Sequence, residues 1–146
     1  MGMPKGELVR RSYLYNFATL GGAVSAITLT SEDFVGALFP ESFVITGLTV
    51  DILTAFAGTA TPTCVLGNTT DPDGYLVNFF GSAGSAQALA PGQVDGALVW
   101  NTTNDCVLHY RITSTAADQN VIMTIGTQAL TAGKARFTFT GYQAKA

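Results

Sequence analysis

Charge is scarce in this chain. Asp, Glu, Lys and Arg make up 12% of its 146 residues, about half the usual share of roughly 25%. The 7 basic residues are outnumbered by 10 acidic ones, for a formal net charge of −3. That balance argues against a nucleic-acid partner, which would need a basic face. Lys5, Arg10 and Arg11 do cluster near the start, beside Glu7. They are too few to make a footprint on DNA alone. Histidine occurs once, as His109. It offers one candidate base for a serine or cysteine nucleophile, and no G-x-S-x-G elbow accompanies it. No catalytic residue is therefore expected. Zinc needs three or four ligands, and one His with two distant Cys does not supply them. No metal site and no cofactor are expected. Walker A and G-x-G-x-x-G loops are missing too. No apolar run reaches the roughly 18–20 residues that span a bilayer, so no membrane partner is expected. Asn16 and Thr19 interrupt the apolar stretch YLYNFATLGGAVSA, which argues against a signal peptide.

What fills the chain instead is threonine, serine, asparagine and glycine. There are twenty threonines, and Thr is β-branched and suits a half-wet pleated surface. Apolar residues stand at 47%, within the ordinary range. A chain of this length can bury roughly 68–70% of its unfolded surface, enough for one core without staples. A surface so poor in charge fits either a plain all-β protein or one largely covered in an assembly. Cys64 in PTCVLG and Cys106 in DCVLHY sit in apolar, strand-like runs. Free core thiols are the expectation, with one disulfide as the alternative.

No segment longer than about ten residues keeps a helical period. Alternation and short apolar runs dominate, split by Gly, Pro, Asn and Asp. Strands are predicted over 8–19, 23–30, 43–56, 62–67, 75–80, 96–101, 105–115, 119–125 and 134–142. Gly47 marks a bulge or bend in the longest of them. The segment 31–39 is the one short helical turn predicted, with Ser31 as N-cap, Glu32 and Asp33 in its first turn, and Pro40 after it. Residues 81–93, rich in small side chains, read as a long loop. Eight or nine strands at this spacing predict an all-β fold, a jelly-roll-like antiparallel β-sandwich of about eight strands, as one domain over 1–146.

Aromatic placement suggests where contacts lie. Tyr13, Tyr15 and Phe17 alternate along the first strand. They fit a core face, or a sticky edge that pairs with a neighbouring chain. With Lys5, Arg10 and Arg11 they form the candidate interface, on a possible N-terminal arm over residues 1–19. Phe79-Phe80 is a further candidate anchor, and Trp100 shares a predicted strand face with Leu98.

The stretch VLGNTTDPDGY, residues 65–75, carries three signals at once. Asn68-Thr69-Thr70 is a formal glycosylation sequon. Asp71 and Asp73 resemble the opening of a calcium loop, but the further acids an EF-hand requires do not follow. The remaining reading is a strand-to-strand turn. There Pro72 fixes φ, Asp71 and Asp73 bond the local backbone, and Gly74 takes a positive φ.

LFPESFVITGLTVDILTAFAG, followed by CVLGNTTDPDGYL, resembles a pattern seen in small virion proteins of tailed bacteriophages. In these, a proline followed by an I-T-G-L-x-V-D-I-x-T-A-F strand leads to a strand ending in a G-x-x-x-D-x-D-G turn. Head decoration (cement) proteins and some tail or fibre components are among them. The likeness covers roughly residues 38–76, about a quarter of the chain, and its motifs are structural. It implies a non-enzymatic, β-rich, often jelly-roll virion subunit that clamps the major capsid protein lattice from outside and contacts copies of itself. A phage protein made in the bacterial cytoplasm meets no standard N-glycosylation pathway, so the sequons at Asn68 and Asn101 lose their meaning. A tail or head-fibre component is the first alternative. A carbohydrate-binding β-sandwich module, with Trp100 as its platform, is the second.

Overall fold

A computed structural model describes residues 9–32, 39, 42–79, 88–89, 100–101, 106–107, 110–112 and 119–143. Strands dominate, and the described helix is one short turn. The elements in chain order are β1 (Val9–Asn16), α1 (Phe17–Leu20), β2 (Ser25–Thr28), β3 (Phe43–Gly58), β4 (Thr63–Gly67), β5 (Ala88–Leu89), β6 (Trp100–Asn101), β7 (Cys106–Val107), β8 (Tyr110–Arg111), β9 (Ile122–Gly126) and β10 (Leu130–Gln143).

Two antiparallel sheets carry the fold. The larger has the order β1-β10-β3-β5, with β8 also paired to β3; the smaller has the order β2-β9-β4. β6 and β7 form a separate pair. The chain passes between the two main sheets from β1 to β2, β2 to β3, β3 to β4, β4 to β5, β8 to β9 and β9 to β10. Each crossing lays one sheet over the other, as a β-sandwich requires.

Period-two alternation decides which residues meet between the sheets. Along β10, Ala135, Phe137 and Phe139 are fully buried, and Arg136, Thr138 and Thr140 between them are not. On β9, Val121 just before the strand, Met123 and Ile125 are fully buried. The larger sheet brings aromatics and, along β3, aliphatics to the core; β4 and β9 bring aliphatics and a thiol, and the segment after β4 adds Tyr75 and Phe79. Phe139 stands at the aromatic centre, with ring centroids 5.0 Å from Phe39, 5.1 Å from Tyr75 and 5.8 Å from Tyr13. All three pairs meet edge to face, the geometry that the ring quadrupoles favour.

β3 changes face at its bulge. Thr140 pairs with Gly47, but the next partner of β10, Gly141, pairs with Ile45, so Thr46 is the extra residue. Phe43 and Ile45 point inward before it, and Leu48, Val50 and Ile52 after it. The glycine at 47 marks this irregularity as predicted.

Other expectations shift. The first strand stops at Asn16, whose Oδ1 accepts a hydrogen bond from Ala18 N and caps α1. Ser31 forms a β-bridge to Tyr13, while Glu32 N donates to Ser12 O at 2.7 Å. The rest of the predicted 31–39 turn, apart from Phe39, lies outside the described residues. The predicted strand at 75–80 reduces to one bridge between Leu76 and Leu66. Most of the 81–93 loop, Phe80, and His109 within the predicted 105–115 strand also lie outside the described residues. So do the side chains of Trp100 and Cys106.

Candidate functional site

β1 is the outermost strand of the larger sheet, and it carries most of the candidate interface. Its alternation sorts those residues onto opposite faces. Tyr13 and Tyr15 are fully buried. Their burial agrees with the core-face reading of this alternation. Tyr13 packs on Phe39 and Phe139. Tyr15 packs on Phe56, and its hydroxyl donates to Gly21 O at 2.7 Å. An edge strand can bury such rings because the segment at Ser31–Glu32 crosses its open side. Phe17 does not continue the strand face; it sits in α1, half-buried against the core. Lys5 lies outside the described residues.

Arg10 and Arg11 part company. Arg10 is exposed on the outer face. There it lines a shallow polar groove with Thr49, Asp51, Thr138 and Thr140. Register explains the grouping: Arg10 lies opposite Thr140, Ser12 opposite Thr138, and Thr138 opposite Thr49. Ser12 Oγ and Thr138 Oγ1 are 3.3 Å apart, within hydrogen-bond reach. The outer face is therefore a hydroxyl-rich sheet with Arg10 and Asp51 set into it.

Arg11 points the other way, into the core side with Tyr13 and Tyr15, and is 5% exposed. Its Nε and Nη2 are buried with no hydrogen-bond partner among the described residues. Burying a charge without compensation costs several kcal/mol, and each orphaned donor about 1–3 kcal/mol. Reading Lys5, Arg10 and Arg11 as one basic cluster hides this. The signal was the period of two, which puts Arg11 on the same face as Tyr13 and Tyr15.

The residues 65–75 form a turn built chiefly by Asn68. Its buried Oδ1 accepts from Thr70 N at 3.0 Å and Asp71 N at 2.8 Å. Asn68 N and Gly74 N both donate to Asp71 O, at 3.0 and 3.1 Å. The predicted positive φ at Gly74 is absent; positive-φ glycines among the described residues are Gly21 and Gly133. Gly67 is the glycine this turn requires, because a Cβ there would collide with Asp71 O and with Pro72. Burial raises the Asp71 pKa, and the hydrogen bond and charge of Asp73 raise it further. Among the described residues no group of three His, Cys, Asp or Glu could hold a metal ion.

Cys64 is a buried free thiol, with its pKa pushed up to about 12 by burial. A thiol so protonated is a poor nucleophile and packs as a small hydrophobe. Among the described residues no helix is long and apolar enough to cross a membrane.

No protein-family model matches this sequence, and no curated protein matches it. Among solved structures, the chain is similar in fold to a chain of the cyanophage Pam1 capsid asymmetric unit. The TM-score is 0.64 at 17% sequence identity, over 97% of this chain and 91% of that one. Those shares make the two chains close in length, so the likeness extends over the whole sandwich.

Proposed function

We propose that this chain is a non-enzymatic structural subunit of a phage virion, one that decorates and stabilises the capsid as a cement protein. The observation that carries the reading is the end-to-end fold likeness to a chain of a cyanophage capsid asymmetric unit. The resemblance of residues 38–76 to phage virion proteins points the same way. In this reading the sandwich is jelly-roll-like and sits on the outer surface of the shell, bound to the major capsid protein and to copies of itself. The charge-poor, hydroxyl-rich outer face suits that role, since contact surfaces are depleted of charge. A protein that binds only the assembled shell stabilises it by mass action. Specific contacts of this kind bury more than about 1,200 Å² in total.

The test adds purified protein to capsids assembled without decoration. Co-sedimentation and a raised capsid melting temperature are expected. Absence of binding to intact shells sinks the cement role.

A further inference from the structure

β1, β2 and β4 are outer strands of the two main sheets, and their open sides differ. That of β1 is crossed at Ser31–Glu32. That of β4 is closed by the segment after the 65–75 turn. There Leu66 N donates to Leu76 O at 3.0 Å, and Cys64 N to Asn78 Oδ1 at 3.1 Å. β2 has no such cover among the described residues, and its Ser25, Ala26 and Thr28 are exposed.

The ladder to β9 decides which backbone groups face the opening. Leu29 N donates to Val121 O at 2.9 Å, the next pair in the register of β2 and β9. Antiparallel pairs alternate between bonded and non-bonded. Ser25, Ile27 and Leu29 therefore bond β9, and Ala26 and Thr28 turn their N–H and C=O groups outward. Such a row is a template for another strand, and natural edges blunt it with charge, proline or bulges. β2 uses none of these. The strands of the smaller sheet, SAIT, IMTIG and TCVLG, hold no charged residue and no proline. The register of β2 and β9 runs without a shift. Val24, just before β2, is 55% exposed, the most of any large hydrophobic residue among those described.

The occupant this edge fits is its own copy. A foreign segment is told apart by pockets for its alternate side chains, and side chains as short as Ala26 and Thr28 build none. An antiparallel strand, by contrast, is self-complementary about a twofold axis. In the register centred on Ile27, Ala26 lies opposite the partner's Thr28, and Thr28 opposite the partner's Ala26. Each outward group of both strands then meets a mate, and no like charges are opposed. We infer that β2 pairs antiparallel with β2 of a second copy, joining the smaller sheets of both into one. The covered β4 edge ends the joined sheet, so the pairing closes at a dimer. The inference names a surface for the contact between copies in the capsid reading, but it rests on the edge itself. Its test uses no capsid, so either can fail alone.

A contact this short falls below the ~1,200 Å² of stable complexes, so the dimer is weak. The test follows sedimentation from about 10 μM to about 1 mM, where weak contacts become populated. It compares the wild type with A26K, which charges the edge, and T28P, which removes an outward N–H that β9 does not use. L53K charges an exposed site on the larger sheet instead. Wild type and L53K are expected to shift from monomer to dimer, and A26K and T28P to stay monomeric. Amide hydrogen exchange on the wild type gives a second readout. Ala26 and Thr28 should exchange several-fold more slowly in the concentrated sample, while Ser25 and Ile27, bonded to β9, should not change. A wild type that stays monomeric throughout overturns the inference. So does association that A26K leaves intact, or that leaves the Ala26 and Thr28 amides exchanging freely. The exchange readout decides even where T28P fails to fold.

Discussion

Glu32 and Arg136, 104 residues apart in sequence, meet in a two-pronged ion pair of 2.7 and 3.1 Å. The contact ties the segment beside β1 to the middle of β10. Glu32 raises the Arg136 pKa, first by hydrogen bonding and then by its charge. Both side chains are substantially exposed, at 38% and 30%, so solvent screens the pair. E32Q is expected to cost less than ~1 kcal/mol. Urea melts in 1 M salt should erase most of that difference. A cost of several kcal/mol that persists in high salt would contradict the surface assignment.

Phe139 carries far more of the stability. It is fully buried and touches rings from β1, from the segment at Phe39 and from the 65–75 turn. F139A leaves a cavity where these elements meet, and about 3–5 kcal/mol should be lost. Chemical denaturation with an unchanged m-value would report this. A loss under ~1 kcal/mol would mean that the centre of the core lies elsewhere.

The long strands were legible because burial follows the alternation that their sequences show. Phe137 and Phe139 against Arg136, Thr138 and Thr140 needed only a period of two. Gly47 flagged the bulge at Thr46. The two-sheet arrangement followed from strand number and spacing. Less legible was anything set by partners distant in sequence. Nothing in the local sequence says that Ser31 will bridge to Tyr13, eighteen positions earlier. Tyr13 and Tyr15 read as a core face from their alternation, but no local signal says that residues 31–32 will cross the strand edge beside them. The turn at 65–75 was correctly placed, but its organising side chain is Asn68, where Asp71 and Asp73 were expected. An Asn that follows a glycine is a weak signal until the loop closes back on it.

That turn gives the third prediction. N68A removes an acceptor of two backbone N–H groups at a buried site, and about 1–2 kcal/mol should go with it. G67A places a methyl against Asp71 O and Pro72 and should destabilise as well, without removing any polar group. Urea midpoints within error of wild type for both would remove the turn from the list of stabilising features.

Asp73 works against the same turn at neutral pH. The Asp71 pKa is raised by burial first and by Asp73 second. A carboxyl with a raised folded value contributes stability in acid, and that contribution is lost as pH rises through the folded value. D73N should therefore gain up to ~0.5 kcal/mol at pH 7 and nothing at pH 3. An equal gain at both values would mean that charge is not its cause.

Alkali tests the buried titrating groups. Burial pushes Cys64 from 9.0 to about 12. Burial, and then the charge of Cys64, moves Tyr15 from 10.0 to about 12. Between pH 9 and 12 the unfolded chain gives up protons that the folded one keeps. Their contribution is thus full below pH 9 and drains away as pH climbs toward 12. C64A also opens a cavity, a cost that does not vary with pH, so the slope of stability against pH is the quantity to read. That slope should be shallower than wild type in C64A and in Y15F. The native Cys64 thiol should also resist an aromatic disulfide reagent at pH 8 and react once urea unfolds the chain. A wild-type slope in both variants, or rapid labelling of native Cys64, would show that the pocket around Tyr15 and Cys64 is open to water.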